Sequence, residues 1–260
     1  MKMRVTALVE NISSNEDLSA EHGLSLYIET TSHKILFDMG QTELFAENAK
    51  KLGIDLSEID IAILSHGHYD HGGGLKCFLE INDRAKVYIS KYAFEPHYNG
   101  IQKYIGLDTS LQDNKRIIFT NDEIEIVKGL TLYSCNEYSK SFELGSFGLN
   151  KKIKDTFIPD DFLHEQYLLI EEDGKKVLIS GCSHKGILNI AEWFRPDILI
   201  GGFHFSKLPL DETLKVYAQY LDRFDTEYYT CHCTGVEQYE FMKQYMNQLE
   251  YIATGDSVLI

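Results

Sequence analysis

Hydrophobic and polar positions follow two rhythms that alternate along the chain. Short runs rich in β-branched and aromatic residues, such as Met3 to Val9 and Lys34 to Phe37, are typical of strands. Between them lie stretches with apolar side chains at helical spacing, such as Thr42 to Leu52, which stops at Gly53. The second half repeats this order, because a hairpin around Asp173-Gly174 is followed by helices that alternate with strands. The pattern therefore predicts an α/β protein.

The repeated order also predicts how the elements assemble. Strands first and alternating helices later, twice over, favour two mixed β-sheets packed together with helices outside, which is a four-layer αββα sandwich. No linker, low-complexity tract or shift in composition marks a boundary, so we expect a single domain over residues 1–260. The region 136–161 has no clear period, and we expect a long loop or lid there.

The net charge of the chain indicates which class of molecule it binds. The chain has 260 residues and a formal net charge of −15, and its densest basic cluster is only the run Lys151-Lys152-Ile153-Lys154. Because so acidic a chain repels phosphate backbones, we expect a small-molecule substrate and no nucleic acid.

Cysteine usage and hydropathy indicate the compartment. The five cysteines are odd in number and irregular in spacing, which argues against a disulfide framework. The N-terminal sequence lacks the apolar run of a signal peptide, and no apolar run approaches the roughly 20 residues of a membrane span. We therefore expect a reduced, cytoplasmic protein with no membrane segment.

The stretch LSHGHYDHGGG, residues 64–74, gathers four potential metal ligands. It follows an apolar run that predicts a buried strand, and its glycines permit a tight turn. His66 and His68 can point the same way in an extended segment, and the turn would bring in Asp70 and His71. Imidazole nitrogen and carboxylate oxygen bind zinc, iron and manganese. One pair of ligands for each of two ions, at this spacing, fits two metal ions that lie close together.

Three further histidines follow predicted strands in the second half. They are His184 in SGCSH, His204 in GGFH and His232 in CHCTG. We expect His184 and His232 to be metal ligands. Three roles stay open for His204: it is a metal ligand, a substrate contact or a support for another ligand. Cys182 is either a thiolate ligand or a buried inert thiol.

The HxHxDH motif at a strand end, with Asp38 in ILFDMG upstream, resembles the metallo-β-lactamase superfamily. The resemblance covers essentially the whole chain, from HGLSLYIE to the closing TGD. The segments GCSHKG, GGFH and HCTG are similar to those of a narrower group related to the dihydropterin ribofuranosylaminobenzene phosphate synthase, whose members are mostly described as metal-dependent hydrolases. The resemblance implies the αββα sandwich and a mononuclear or dinuclear metal site.

The resemblance also implies a role for each residue of the motif. His66 and His68 would hold a first metal ion. Asp70 and His71 would hold a second ion, which His232 would complete. Asp38 would bind no metal and would brace the histidine loop through hydrogen bonds.

One departure from the superfamily pattern affects the first metal ion. The superfamily usually has a histidine before the penultimate hairpin and a bridging aspartate in a GD motif after it. Here His164 precedes the hairpin and Gly181-Cys182 follows it, so the bridging carboxylate is absent. His184 is our prediction for the first-metal position, and His164 and Cys182 are the alternatives.

The chemistry that this site favours is hydrolysis. A metal ion with an open position lowers the pKa of bound water from about 16 to about 7, so hydroxide is available at neutral pH. Asp70 would orient that hydroxide and take up its proton. We expect zinc, with manganese, iron and nickel as alternatives. The resemblance to the synthase group suggests a small phosphate ester or cyclic phosphate, nucleotide-like or pterin-like, as substrate.

Two other classes of function stay open. One is a di-iron or mono-iron oxidoreductase of the same fold, and the other is a ligand-binding protein that retains a degenerate site. Metal content separates them: zinc or manganese favours hydrolysis, tightly held iron with visible absorbance favours redox chemistry, and the lack of any stoichiometric metal favours binding alone.

Overall fold

The computed structural model describes residues 3–260. The strands, in chain order, are β1 (Arg4–Val9), β2 (Ser25–Glu29), β3 (Lys34–Phe37), β4 (Ile61–Ile63), β5 (Lys86–Ser90), β6 (His97–Asn99), β7 (Lys103–Tyr104), β8 (Ile117–Thr120), β9 (Glu123–Val127), β10 (Leu130–Tyr133), β11 (Leu149–Ile153), β12 (Thr156–Pro159), β13 (Tyr167–Glu172), β14 (Lys175–Ile179), β15 (Ile198–Gly201), β16 (Glu227–Thr230), β17 (Leu249–Tyr251) and β18 (Ser257–Leu259). The helices are α1 (Leu44–Lys51), α2 (Tyr69–Gly72), α3 (Leu75–Ile81), α4 (Ile187–Phe194), α5 (Glu212–Leu221) and α6 (Val236–Met242). Among them, none combines the length and the hydrophobicity that a membrane crossing requires.

The chain forms two compact units. The first unit comprises the chain up to Asn121, together with Gly148–His164 and Ile252–Ile260. The second unit comprises Asp122–Phe147 and Glu165–Tyr251. The single domain expected over residues 1–260 stays a prediction.

The first unit contains a seven-stranded mixed sheet. Its strand order is β18-β1-β2-β3-β4-β5-β8, antiparallel from β18 to β3 and parallel from β3 to β8. The amphipathic helices α1 and α3 bury Phe45 and Phe78 in a core that also contains Leu36 and Val87. Because β3 and β4 are parallel neighbours, their carboxyl ends lie at the same edge of the sheet. The residues that follow them, including Asp38 and the segment 64–74, therefore meet there.

The second unit repeats this arrangement. Its strand order is β17-β16-β15-β14-β13-β10-β9, antiparallel from β9 to β14 and parallel from β14 to β17. Helix α4 buries Ile187 and Ile190 in a core built around Tyr167, Phe203 and Tyr228. The carboxyl ends of β14, β15 and β16 share one edge, which brings together the three loops that carry the later histidines.

The predicted loop or lid at 136–161 is wrong for its second half. Strands β11 and β12 form a hairpin there, and β11 pairs with β6 in a four-stranded sheet of order β12-β11-β6-β7 within the first unit. The sequence pattern did not predict β11 because Lys151 occupies an inward position of this strand. Lys151 is only 7% exposed, at a position where the alternation of a strand predicts an apolar residue. Its ammonium group lies 2.7 Å from the Asp161 carboxylate. A lid role for the region stays a prediction.

Candidate metal centre

The HxHxDH motif lies directly after β4 in the first unit, and its four ligand candidates are buried. The imidazole centroid of His66 is 4.6 Å from that of His68 and 4.1 Å from that of His71. Asp70 Oδ2 lies 3.9 Å from His71 Nε2. One ion with ligands at about 2.0–2.2 Å can span such a separation. The structure therefore brings the four residues of the motif into one cluster.

Asp38 braces this cluster from the end of β3. It adopts the left-handed conformation, with φ of +60°, and its carboxylate is fully buried. Oδ1 accepts the backbone N–H of Ser65 at 2.7 Å. Oδ2 accepts the Ser65 hydroxyl and His71 Nδ1–H, each at 2.7 Å. One carboxylate thus holds both the start of the motif and its last histidine.

These hydrogen bonds fix the tautomers of two histidines. Because His71 donates from Nδ1 to the carboxylate, its lone pair is at Nε2. The Ser65 hydroxyl donates to Asp38, so it accepts from His66 Nδ1 at 2.8 Å. The lone pair of His66 is then also at Nε2. Metal-binding histidines are typically oriented in this way, by a donated hydrogen bond from the other ring nitrogen.

His68 is held as a neutral imidazole. Burial lowers its pKa well below the usual value, and the nearby His164 acts in the same direction. A neutral imidazole is the form that binds metal ions. The donor set of three histidines and one aspartate therefore fits a divalent ion such as zinc, iron or manganese.

Gly67 allows the chain to pass tightly between the first two histidines. A Cβ atom at this position would lie 2.1 Å from the carbonyl oxygen of Ala93, which is far inside van der Waals contact. The Gly67 N–H donates to His164 Nδ1 at 2.9 Å. The backbone of the motif is therefore held from two sides.

The close approach at Gly67 gives a direct prediction. Gly67→Ala is expected to displace His66 and His68 by several tenths of an ångström or more, because the Ala93 backbone cannot yield as a side chain would. A misplacement of about 1 Å lowers the activity of an enzyme by about 100-fold, so we expect a loss of up to that factor. Steady-state kinetics and metal content check this result, and Gly100→Ala, where a Cβ meets no atom within 4 Å but the φ of +63° strains the backbone, controls for general destabilisation by a glycine substitution. Unchanged metal content and activity in Gly67→Ala would contradict it.

His164, one of the two alternative ligands for the first metal ion, carries its proton on the opposite ring nitrogen from His66 and His71. Its Nδ1 lone pair accepts the Gly67 amide, so its proton is on Nε2, which lies 3.5 Å from Asp160 Oδ1. This geometry favours His164 as a support for the histidine turn. The hairpin β11–β12 delivers Asp160, whose Oδ2 accepts His97 Nδ1–H at 2.7 Å.

His97 and Asp160 carry little local sign of their role in the sequence. His97 lies within a polar and aromatic stretch without a strand pattern, and Asp160 lies in the region expected to be irregular. Burial acts to raise the pKa of Asp160, but hydrogen bonds from His164 and His97 outweigh it and hold that pKa well below its usual range. Asp160 is therefore an ionised carboxylate between two buried histidines.

Asp160→Asn is expected to lower the free energy of unfolding by about 2–4 kcal/mol at neutral pH, because hydrogen bonds to a charged acceptor are lost. The folded-state pKa is depressed, so the contribution of Asp160 is complete above the unfolded pKa of about 3.9 and declines only below it. The difference between wild type and variant should therefore shrink as the pH falls below about 3.9. Urea unfolding across this pH range measures it, and equal stabilities at pH 7 would refute the prediction.

The second unit holds its own cluster of metal-binding side chains at the shared edge of β14, β15 and β16. Candidate ligand atoms of Cys182, His232 and Cys233 all lie within 4.8 Å of one another, and so do those of Cys182, His184 and His204. The rings of His184 and His204 are 4.3 Å apart. His204 is half-buried, and the other four residues are buried. The three predicted histidines of this half therefore meet around the two cysteines.

The loop that carries His184 is anchored by Glu165, which the sequence did not single out. Its fully buried carboxylate accepts the backbone N–H of His184 at 2.6 Å and that of Lys185 at 3.0 Å. It also accepts the Tyr167 hydroxyl at 2.6 Å.

The environment of Cys233 shifts the pKa of its thiol. Burial acts to raise this pKa, but hydrogen bonds with Cys182 and His204 leave it well below its usual range.

Comparison with known proteins decides the family. The sequence profile of the metallo-β-lactamase superfamily matches residues 19–221. The chain belongs to this superfamily. An uncharacterized protein of Methanocaldococcus jannaschii is 32% identical over 258 residues, which cover 94% of this chain and 95% of the relative. From the same organism, the 7,8-dihydropterin-6-methyl-4-(β-D-ribofuranosyl)-aminobenzene-5′-phosphate synthase is 27% identical over 282 residues, covering 97% of this chain and 95% of the synthase.

Solved structures of the superfamily agree with this result. Tm1679, described as a metal-dependent hydrolase of the β-lactamase superfamily, superposes with a TM-score of 0.84 at 29% identity and covers 99% of both chains. The metallo-β-lactamase fold protein YhfI of Bacillus subtilis shares the fold, with a TM-score of 0.62 at 13% identity over the whole of both chains. The α/β metallo-β-lactamase fold expected from the sequence is confirmed.

Proposed function

We propose that the protein is a metal-dependent hydrolase that acts on a small phosphate ester or cyclic phosphate. One observation carries the proposal: the Asp38 carboxylate and the Ser65 hydroxyl fix His66 and His71 with their Nε2 lone pairs available to a metal ion. Hydrogen bonds that orient imidazole rings in this way are typical of metal-binding histidines. His184 and His232 remain our predicted further ligands.

The chemistry follows from the donor set. A divalent ion held by these residues would polarise the bond under attack and would lower the pKa of bound water to about 7. Asp70 Oδ2 lies 3.9 Å from His71 Nε2, and we expect it to orient the attacking water and to take up its proton. His22 Nε2 lies 3.2 Å from the same oxygen and helps to hold it in position. We expect zinc and two ions, with manganese, iron and nickel as alternatives.

The substrate class is supported by charge and by one relative. A net charge of −15 favours a small molecule over a nucleic acid. The name of the 27% identical synthase contains both a dihydropterin and a ribofuranosyl phosphate. A phosphorylated heterocycle, nucleotide-like or pterin-like, is therefore the substrate to test first. The cytoplasmic location expected from the sequence belongs to this proposal as well.

The test compares metal content and hydrolysis in wild type, His66→Ala and His33→Ala. His33 lies in the turn between β2 and β3, so it provides a matched histidine outside the cluster. Protein purified without a histidine tag should hold metal and hydrolyse phosphomonoesters, phosphodiesters or cyclic nucleotides. His66→Ala should lose both properties, and His33→Ala should keep both.

Two results would replace this proposal with another. Tightly held iron with visible absorbance, and no hydrolysis of any phosphate ester, would indicate an oxidoreductase. No stoichiometric metal in wild type, even after reconstitution, would indicate a ligand-binding protein.

A further inference from the structure

Lys103 places an ammonium group beside the HxHxDH motif of the first unit. It lies in β7, where it pairs with Asn99 of β6. Its Nζ donates to the Tyr69 hydroxyl at 2.9 Å and lies 5.0 Å from the centroid of the Tyr69 ring. Tyr69 stands between His68 and Asp70 in the sequence. Strand pairing and this hydrogen bond therefore hold a cation next to the candidate metal centre.

Tyr69 is a firm support for this ammonium group. Its side chain packs against a small apolar core of Ile105, Leu149 and Phe162, and its backbone N–H donates to the Ile105 carbonyl oxygen at 2.9 Å. Because Lys103 donates to the phenol oxygen, the phenolic hydrogen points elsewhere, and no residue within 3–260 accepts it. The phenol and the ammonium group thus offer adjacent hydrogen-bond donors to a ligand from outside.

The charge of Lys103 matters because of its neighbour Asp70. The hydrogen bond to Tyr69 raises the pKa of Lys103, and the negative charge of Asp70 acts in the same direction. The chain as a whole has a net charge of −15. An anionic ligand that approaches the HxHxDH motif therefore meets a carboxylate on an acidic protein, and a cation at this position offsets the repulsion.

We propose that Lys103 and Tyr69 form an anion site that binds the terminal phosphate group of a phosphomonoester. The inference rests on the proposed function, to which it adds the residues that recognise the phosphate. An ammonium group binds phosphate as a point charge, and the phenol adds one hydrogen bond. A terminal phosphate carries a charge of about −1.5 to −2 at neutral pH, which exceeds the single charge of a diester. The site therefore favours phosphomonoesters over diesters and cyclic phosphates.

Steady-state kinetics of metal-loaded Lys103→Met test the proposal. The KM for p-nitrophenyl phosphate, a monoester, should rise about 10-fold, because a hydrogen bond to a charged group is lost. The KM for bis(p-nitrophenyl) phosphate, a diester, should rise much less, and kcat should change little for either substrate. Lys103→Arg keeps the charge and should restore most of the lost affinity. Tyr69→Phe should raise the KM for the monoester by about 3-fold.

Lys91→Met is the matched control for the loss of a lysine. Lys91 also belongs to the first unit, and its Nζ lies 4.9 Å from the centroid of the Tyr92 ring. This variant should keep the wild-type KM for both substrates. An unchanged KM for the monoester in Lys103→Met, or an equal rise for monoester and diester, would overturn the anion site.

Binding of inorganic phosphate separates the anion site from the proposed reaction. Isothermal titration calorimetry should show that metal-loaded wild type binds phosphate about 10-fold more tightly than Lys103→Met at equal metal content. If wild type shows this difference and hydrolyses no phosphate ester, only the proposed hydrolysis is refuted. If wild type hydrolyses phosphate esters and both proteins bind phosphate equally, only the anion site is refuted.

Discussion

Asp38→Asn is expected to lower the affinity for metal by about 10- to 100-fold, which is the usual effect of losing a group that orients a ligand. The amide of asparagine would present N–H groups where Oδ2 now accepts from His71. To accept a hydrogen bond, His71 would have to move its proton from Nδ1 to Nε2, and its Nε2 lone pair would be lost to the metal. A wrong imidazole tautomer of this kind lowers kcat by about 10⁴ in serine proteases. We therefore expect a large loss of activity together with the loss of metal.

The substitution isolates this effect because the backbone tolerates it. Asp38 adopts a φ of +60°, and asparagine is among the residues that accept this conformation readily. Zinc affinity measured by competition with a chelator, and circular dichroism of the apo-protein, separate metal loss from unfolding. Ser65→Ala is the comparison, since it removes the hydroxyl that orients His66 and leaves the bond between Asp38 and His71 intact. Wild-type zinc affinity in Asp38→Asn would rule out the tautomer argument.

The fold was predictable where local pattern and tertiary role agree. The expected strands at Met3 to Val9 and Lys34 to Phe37 correspond to β1 and β3, and the helix at Ile187 to Phe194 corresponds to α4. In each, most of the buried positions carry apolar side chains. Strand β11 was missed because its inward Lys151 is neutralised by Asp161, a partner that only the folded hairpin supplies.

Some residues of the candidate site could be predicted from the sequence, and others could not. The HxHxDH motif and Asp38 could be found because each directly follows a strand, and parallel strands bring such positions to one edge. Asp160 and Glu165 could not, since a carboxylate flanked by ordinary residues carries no local sign of the groups it will contact. Asp160 depends on the pairing of β11 with β6 to reach His97. Glu165 depends on the pairing of β13 with β14 to reach the His184 loop.

Glu165→Ala is expected to lower the free energy of unfolding by about 3–5 kcal/mol, because each buried donor left without an acceptor costs about 1–3 kcal/mol. The substitution leaves three buried donors without their acceptor, namely the amides of His184 and Lys185 and the hydroxyl of Tyr167. Burial, and then the charge of Glu165, raise the pKa of Tyr167 well above its usual value, so the phenol keeps its proton and must donate. Urea unfolding of apo-protein measures the loss.

Two variants show how the loss is distributed. Tyr167→Phe removes one of the three hydrogen bonds and is expected to lose about 1–2 kcal/mol. Glu165→Gln keeps the size of the side chain and one acceptor oxygen, so its stability should lie between those of Tyr167→Phe and Glu165→Ala. If Glu165→Ala were no less stable than Tyr167→Phe, the carboxylate would not anchor the loop. The position of His184 would then have to be set by the packing of α4, whose first buried residue, Ile187, follows three residues later.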